Sequence, residues 1–161
     1  MNAILSTDRR YRYVLWRGWN PPLPAAIWVM LNPSTADEST DDPTIRRCLG
    51  FSRAWGCGEM QVINLYALRA TDPRKLWESS DPVGPLNDYH TTRLLRSAAE
   101  FGWPVIAAWG ANARAERVKQ FLAIADAHGC RIHSLGLTKG GAPRHPLYLP
   151  ASSAPTLWWP R

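Results

Sequence analysis
The chain has 161 residues, 45% of them hydrophobic and 20% charged, a globular composition that suits a single domain, 1–161, burying its core without disulfide staples. Three cysteines, Cys48, Cys57 and Cys130, are too few and too irregularly spaced for a disulfide framework or an iron–sulfur cluster, and they fit a reducing cytoplasm. A net charge of +6 with a pI near 9.7 favours a polyanionic partner, and no apolar run approaches the roughly 20 residues that span a bilayer.

The amino terminus carries charge where a signal peptide needs an apolar core, so a cytoplasmic protein is expected. Tyr11 to Trp16 is aromatic and β-branched enough for a strand, and 17–24, with Gly18, Asn20 and three prolines, breaks it. Ala25 to Leu31 is an unbroken apolar run, the mark of a strand buried on both faces. It stops at the polar, proline-pinned stretch Asn32-Pro33-Ser34-Thr35-Ala36-Asp37. Asp42-Pro43 then reads as an N-cap followed by proline at the first helical position. Ile45, Cys48, Leu49 and Ala54 form the apolar stripe of that helix, which stops at Gly56.

Met60 to Leu65 is the next strand, with Asn64 near its end, and polar loops follow at 69–73 and 81–85. A helix over Asp88–Phe101 leads to a strand over Val105–Trp109 that ends at Gly110. A helix over Arg114–His128, capped by Gly129, leads to a strand over Arg131–Leu137. From Thr138 the chain is a Gly/Pro-rich tail with an apolar Leu157-Trp158-Trp159 end. The alternation predicts βαβ units, hence a three-layer α/β/α sandwich with a short, mainly parallel sheet. The nine tryptophans are expected mostly in packing, with one or two lining a pocket.

Ligands of such sheets sit beyond the carboxyl ends of the strands. That places Asn32 to Asp37, Asn64 to Arg69, Gly110 to Asn112 and Thr138 to His145 at one candidate site. His145 lies between Arg144 and Pro146 in Pro143-Arg144-His145-Pro146, a loop stiffened by its prolines. Asn32 and Asn64 each offer an amide, as suited to capping a turn as to holding a ligand. Arg46, Arg47, Lys139 and Arg144 flank these loops as candidate phosphate-binding residues, and Lys139-Gly140-Gly141 adds backbone N–H groups. Asp37, Asp41 and Asp42 form an acidic group. Helix capping accounts for Asp42, and magnesium is a weaker alternative, so neither metal nor cofactor is expected.

In Met30-Leu31-Asn32-Pro33-Ser34-Thr35-Ala36-Asp37, Asp42-Pro43-Thr44-Ile45-Arg46-Arg47 and Pro143-Arg144-His145-Pro146-Leu147-Tyr148, the chain resembles a bacterial group, domain-of-unknown-function family 1643. More distantly it resembles the uracil-DNA glycosylase superfamily. That resemblance implies the corresponding fold and makes Asn32, just before Pro33, the residue that orients an attacking water. Asn64, in Ile63-Asn64-Leu65-Tyr66-Ala67-Leu68-Arg69, becomes the reader of a flipped base. Gly110-Ala111-Asn112-Ala113 matches a third strand end. His145-Pro146 opens a last motif whose Leu149 is a wedge into DNA.

Three departures accompany these matches. Ser34 replaces a glycine, Leu147 replaces a phosphate-contacting serine, and the cysteines do not match the iron–sulfur subfamily. Asn32, His145 and Asp37 are thus the expected catalytic residues, Asp37 as an alternative water activator. Pro33, Ser34, Asn64, Tyr66, Arg69, Gly110 and Leu149 are the expected base- or ligand-binding residues. The expected activity is that of a DNA glycosylase-like hydrolase on an unknown or modified base, acting as a monomer away from membranes. Alternatives are a non-catalytic nucleic-acid or nucleotide binder, or an enzyme on a free nucleotide-like molecule.

Overall fold
The structure, a computed structural model, describes residues 2–34 and 41–160. Seven strands occur in chain order: β1 (Asn2–Leu5), β2 (Arg12–Gly18), β3 (Ala25–Met30), β4 (Glu59–Asn64), β5 (Val105–Ala107), β6 (Ile132–Ser134) and β7 (Thr156–Trp159). Three helices interleave with them: α1 (Pro43–Ala54), α2 (Asn87–Phe101) and α3 (Ala115–Ala127). Two 3-10 turns, Pro73–Glu78 and Pro146–Tyr148, complete the regular elements among the described residues.

All seven strands form one sheet in the order β1-β2-β4-β3-β5-β6-β7. The pairs β3–β4, β3–β5 and β5–β6 are parallel, whereas β1–β2, β2–β4 and β6–β7 are antiparallel. The fold is therefore mixed α/β, and the expected mainly parallel sheet holds only for its four central strands. The correction comes from the edges. Asn2–Leu5 folds back on β2 through a turn in which Asp8 accepts from Ser6 Oγ at 2.5 Å and from the Arg10 N–H at 3.1 Å. The apolar end of the tail becomes β7, with Leu157 opposite His133 and Trp159 opposite Ile132.

Period-two alternation splits the core in two. Ala26, Trp28 and Met30 of β3 pack in one cluster with Ile45, Cys48 and Phe51 of α1. Ile27 and Val29 pack in the other, with Leu95 and Ala98 of α2 and Phe121, Leu122 and Ala125 of α3. Helices thus cover both faces of the sheet, which explains why β3 has no polar position. The buried Trp28 indole donates to Ser52 Oγ at 3.0 Å, and Ser52 donates to the Cys48 carbonyl at 2.9 Å, so α1 satisfies the polar groups it covers. As anticipated, α1 starts at an N-cap: Asp42 Oδ1 accepts from the Ile45 N–H at 2.8 Å, with Pro43 in the first turn.

Candidate functional site
Register decides where the polar strand ends fall. Met30 lies opposite Asn64, and Val29 lies opposite Ala107, so the chain leaves β3, β4 and β5 at one edge of the sheet. The Leu65 N–H donates to the Met30 carbonyl and the Tyr66 N–H to the Leu31 carbonyl, both at 2.9 Å, extending the pairing beyond the strands. At Gly110 a positive φ of 73° turns the chain away from β5. The Gly110 N–H then donates to the Pro143 carbonyl at 2.9 Å, and the Arg144 N–H donates to the Gly136 carbonyl at 2.9 Å. These two bonds seat the 143–145 loop against the same edge. The result is a cavity of about 330 Å³ whose lining includes Arg12, Asn32, Ser34, Asp42, Asn64, Trp109, Gly110, Asn112 and His145.

Each polar group there has a distinct state. Asn32 Nδ2 donates to the Ala70 carbonyl at 2.8 Å and to the Pro33 carbonyl at 3.1 Å. Two carbonyl acceptors determine the amide's orientation and leave Oδ1 as the atom it can offer a ligand. Asn64 is 3% exposed, and its Nδ2 has no hydrogen-bond partner among the described residues. A buried donor without a partner is costly in a free protein and is relieved when a ligand supplies an acceptor. His145 Nδ1 accepts from the Leu147 N–H at 3.3 Å, so the neutral imidazole carries its proton on Nε2. Desolvation at the cavity wall lowers its pKa, against a smaller raising effect from the Asp42 carboxylate. Asp42 is occupied on both oxygens, since Oδ2 accepts from Ser34 Oγ at 3.3 Å while Oδ1 caps α1.

A family model described as a protein of unknown function, DUF1643, matches residues 12–147. The chain belongs to the DUF1643 family. No curated protein and no solved structure matches it. Every residue of the cavity lining, from Arg12 to His145, falls inside the DUF1643 span.

Of the residues expected at the site, Asn32, Ser34, Asn64, Gly110 and His145 line this one cavity of the DUF1643 chain. Asp37 lies outside the described residues. Pro33 is buried beside the cavity without lining it, and its carbonyl accepts from Asn32 Nδ2 and, at 3.0 Å, from the Ala70 N–H. Tyr66 faces the other way: it packs edge-on against Trp77, and its hydroxyl accepts from the Arg114 N–H at 3.3 Å. Arg69 donates to the Arg9 carbonyl at 3.0 Å, outside the cavity. Leu149 is 5% exposed and packs in the α1 core, so it is not placed as a wedge; the neighbouring Tyr148, 92% exposed, is the projecting side chain of that turn.

Among the basic residues, Arg47 is corrected in a similar way. Arg47 Nη2 donates to the Leu149 carbonyl while its guanidinium lies 4.7 Å from the Phe51 ring centre, so it fastens the 146–148 turn to α1. Arg46 donates to the Asp41 carbonyl, and Lys139 and Arg144 are exposed without lining the cavity. Asp41 pairs with the buried Arg17 at 2.9 Å, which accounts for a second member of the acidic group. Among the described residues no three His, Cys, Asp or Glu side chains gather as metal ligands.

Sequence reasoning missed Arg12, which is 6% exposed and lines the cavity. A charged residue opening a strand reads as surface. The available signal was the unbroken apolar run Tyr13-Val14-Leu15 beside it, which shows that β2 is covered on both faces.

Proposed function
We propose that the cavity binds a nucleobase or nucleobase-like heterocycle and that the protein is a glycosylase-like hydrolase. The observation that carries this reading is the buried Asn64 Nδ2, without a partner among the described residues, on a side chain that lines the same cavity as Asn32 and His145. In the proposed reaction the bond between the sugar carbon and the base nitrogen breaks. A water adds its oxygen to that carbon, and its proton leaves to the departing base. Asn32 Oδ1 would orient the water, since a neutral amide positions water but does not deprotonate it. The Nε2–H of His145 would stabilise charge developing on the base, and Asn64 would hold the edge of the ring. The four central parallel strands, covered by helices on both faces, support a uracil-DNA glycosylase-like sandwich as the finer fold assignment. A cytoplasmic monomer is part of the same proposal, and the three unbridged cysteines, which suit a reducing compartment, support its location; among the described residues no helix is long and apolar enough to cross a membrane.

One observation favours a second reading, in which the substrate is a free nucleotide-like molecule rather than DNA. Two of the groups expected to engage DNA, Arg47 and Leu149, are committed to each other and to α1, whereas Arg46, Lys139 and Arg144 are exposed. Abasic-site formation on a panel of DNAs with modified bases, run beside hydrolysis of free nucleosides and nucleotides, separates the two. On an accepted substrate His145→Ala is expected to lower the chemical rate by about 10²-fold or more. Full activity in both His145→Ala and Asn32→Ala would sink the mechanism. DNA binding that weakens steeply with salt would favour the first reading, because phosphate contacts release counterions.

A further inference from the structure
Two buried side chains that do not line the cavity hold the end of β4. Asn87, fully buried in the first turn of α2, donates from Nδ2 to the Asn64 carbonyl at 2.9 Å and to the Leu65 carbonyl at 3.2 Å. The reversed amide would set an oxygen against two carbonyl oxygens, so the donor assignment stands. Arg117 of α3, 4% exposed, donates from Nε to the same Leu65 carbonyl at 2.7 Å. Its guanidinium is held in turn by Asp88 at 2.5 Å, next to Asn87 in α2, and by Gln120 Oε1 at 3.3 Å. Two helices therefore converge on two consecutive carbonyls, one of which belongs to Asn64.

We infer that Asn87 and Arg117 are positioning residues that aim the Asn64 amide into the cavity. A helix-capping or packing role explains neither feature well. Asn87 makes no cap hydrogen bond to α2, which has none from a side chain at its N-terminus. A buried arginine spends its Nε on a carbonyl at a strand end, where simple packing would place an apolar residue. Among the described residues no partner holds the Asn64 side chain at Nδ2, so its aim depends on the backbone carrying it. A donor that must meet a ligand acceptor within a few tenths of an ångström needs such support. This inference rests on the proposed role of Asn64 in binding a base.

The test uses the side-chain amide signal of Asn64 in nuclear magnetic resonance of the free protein, together with binding of free nucleobases (uracil, thymine, cytosine, xanthine). Asn87→Ala is expected to shift and broaden the Asn64 signal and to weaken binding of whichever base the wild type accepts by about tenfold or more. Ile132→Val, a core truncation on β6, controls for loss of stability alone and should leave that signal in place. If Asn87→Ala does not fold, Asp88→Ala carries the test, because it removes a half-exposed carboxylate and with it both acceptors that Asp88 offers Arg117. An Asn64 signal unchanged in a folded Asn87→Ala or Asp88→Ala protein overturns the inference. A wild type that binds none of the bases counts against the reading of Asn64 instead, and leaves the amide signal to decide the positioning role.

Discussion

The Asn64 side chain shows how a site can be stored as a local debt in stability. An unpaired buried donor costs about 1–3 kcal/mol, so Asn64→Leu is expected to raise the Tm of the free protein while abolishing base binding. A lower Tm in Asn64→Leu would make the amide a structural donor and remove it from the site. His145 offers a second measurement at this scale. Its pKa lies below the ordinary imidazole value of 6.5 because partial desolvation disfavours the charged form. The folded protein therefore binds less proton than the unfolded chain between the two pKa values. The contribution to stability is present above the ordinary range, declines as pH falls through it, and levels off below the folded pKa. Protonation also removes the Nδ1 lone pair that accepts from the Leu147 N–H, so the 145–147 turn should loosen in acid. A His145 titration midpoint at or above that of a model peptide would contradict this account.

Between elements, the contact of α1 with the 146–148 turn has a testable consequence. Because Arg47 joins α1 to the Leu149 carbonyl, Arg47→Ala should lower the unfolding free energy by an amount typical of a lost charged hydrogen bond, about 1.5–3 kcal/mol. Any DNA affinity, in contrast, should keep its salt slope; a slope reduced by one phosphate contact would restore Arg47 as a phosphate ligand. This same contact marks how far sequence alone reached. The central strands and all three helices were legible because an apolar run buried on both faces and a 3.6-residue stripe are strong local signals. The convergence of Asn32, Asn64 and His145 was legible too, since parallel strands deliver their ends to one edge. The edge strands β1 and β7 were not, being four residues each and defined by their partners more than by their composition. Nor was the fate of Arg12, Arg47 and Leu149, because spacing along a chain does not say whether a guanidinium meets solvent or a carbonyl of the same chain.

For the molecule as a whole, the three thiols report on integrity. Cys48, Cys57 and Cys130 are buried and unbridged, and burial raises all three pKa values, that of Cys130 to about 11. None should react with a thiol reagent at neutral pH until the fold opens, so labelling in denaturant should track the loss of native circular dichroism. Labelling of a thiol ahead of that transition would expose a region that opens on its own. The cavity lining itself is drawn from Arg12 through His145, with Asn32, Asn64 and Gly110 between; α1 joins β3 to β4, α3 joins β5 to β6, and the chain from β3 to β5 runs through α1, β4 and α2. Such pairings close long loops before any contact rewards them, which slows folding. A chain emerging from the ribosome would therefore have no use of this site until the loop carrying His145 had been made, and in refolding the capacity to bind a base should return together with native circular dichroism, in one slow step.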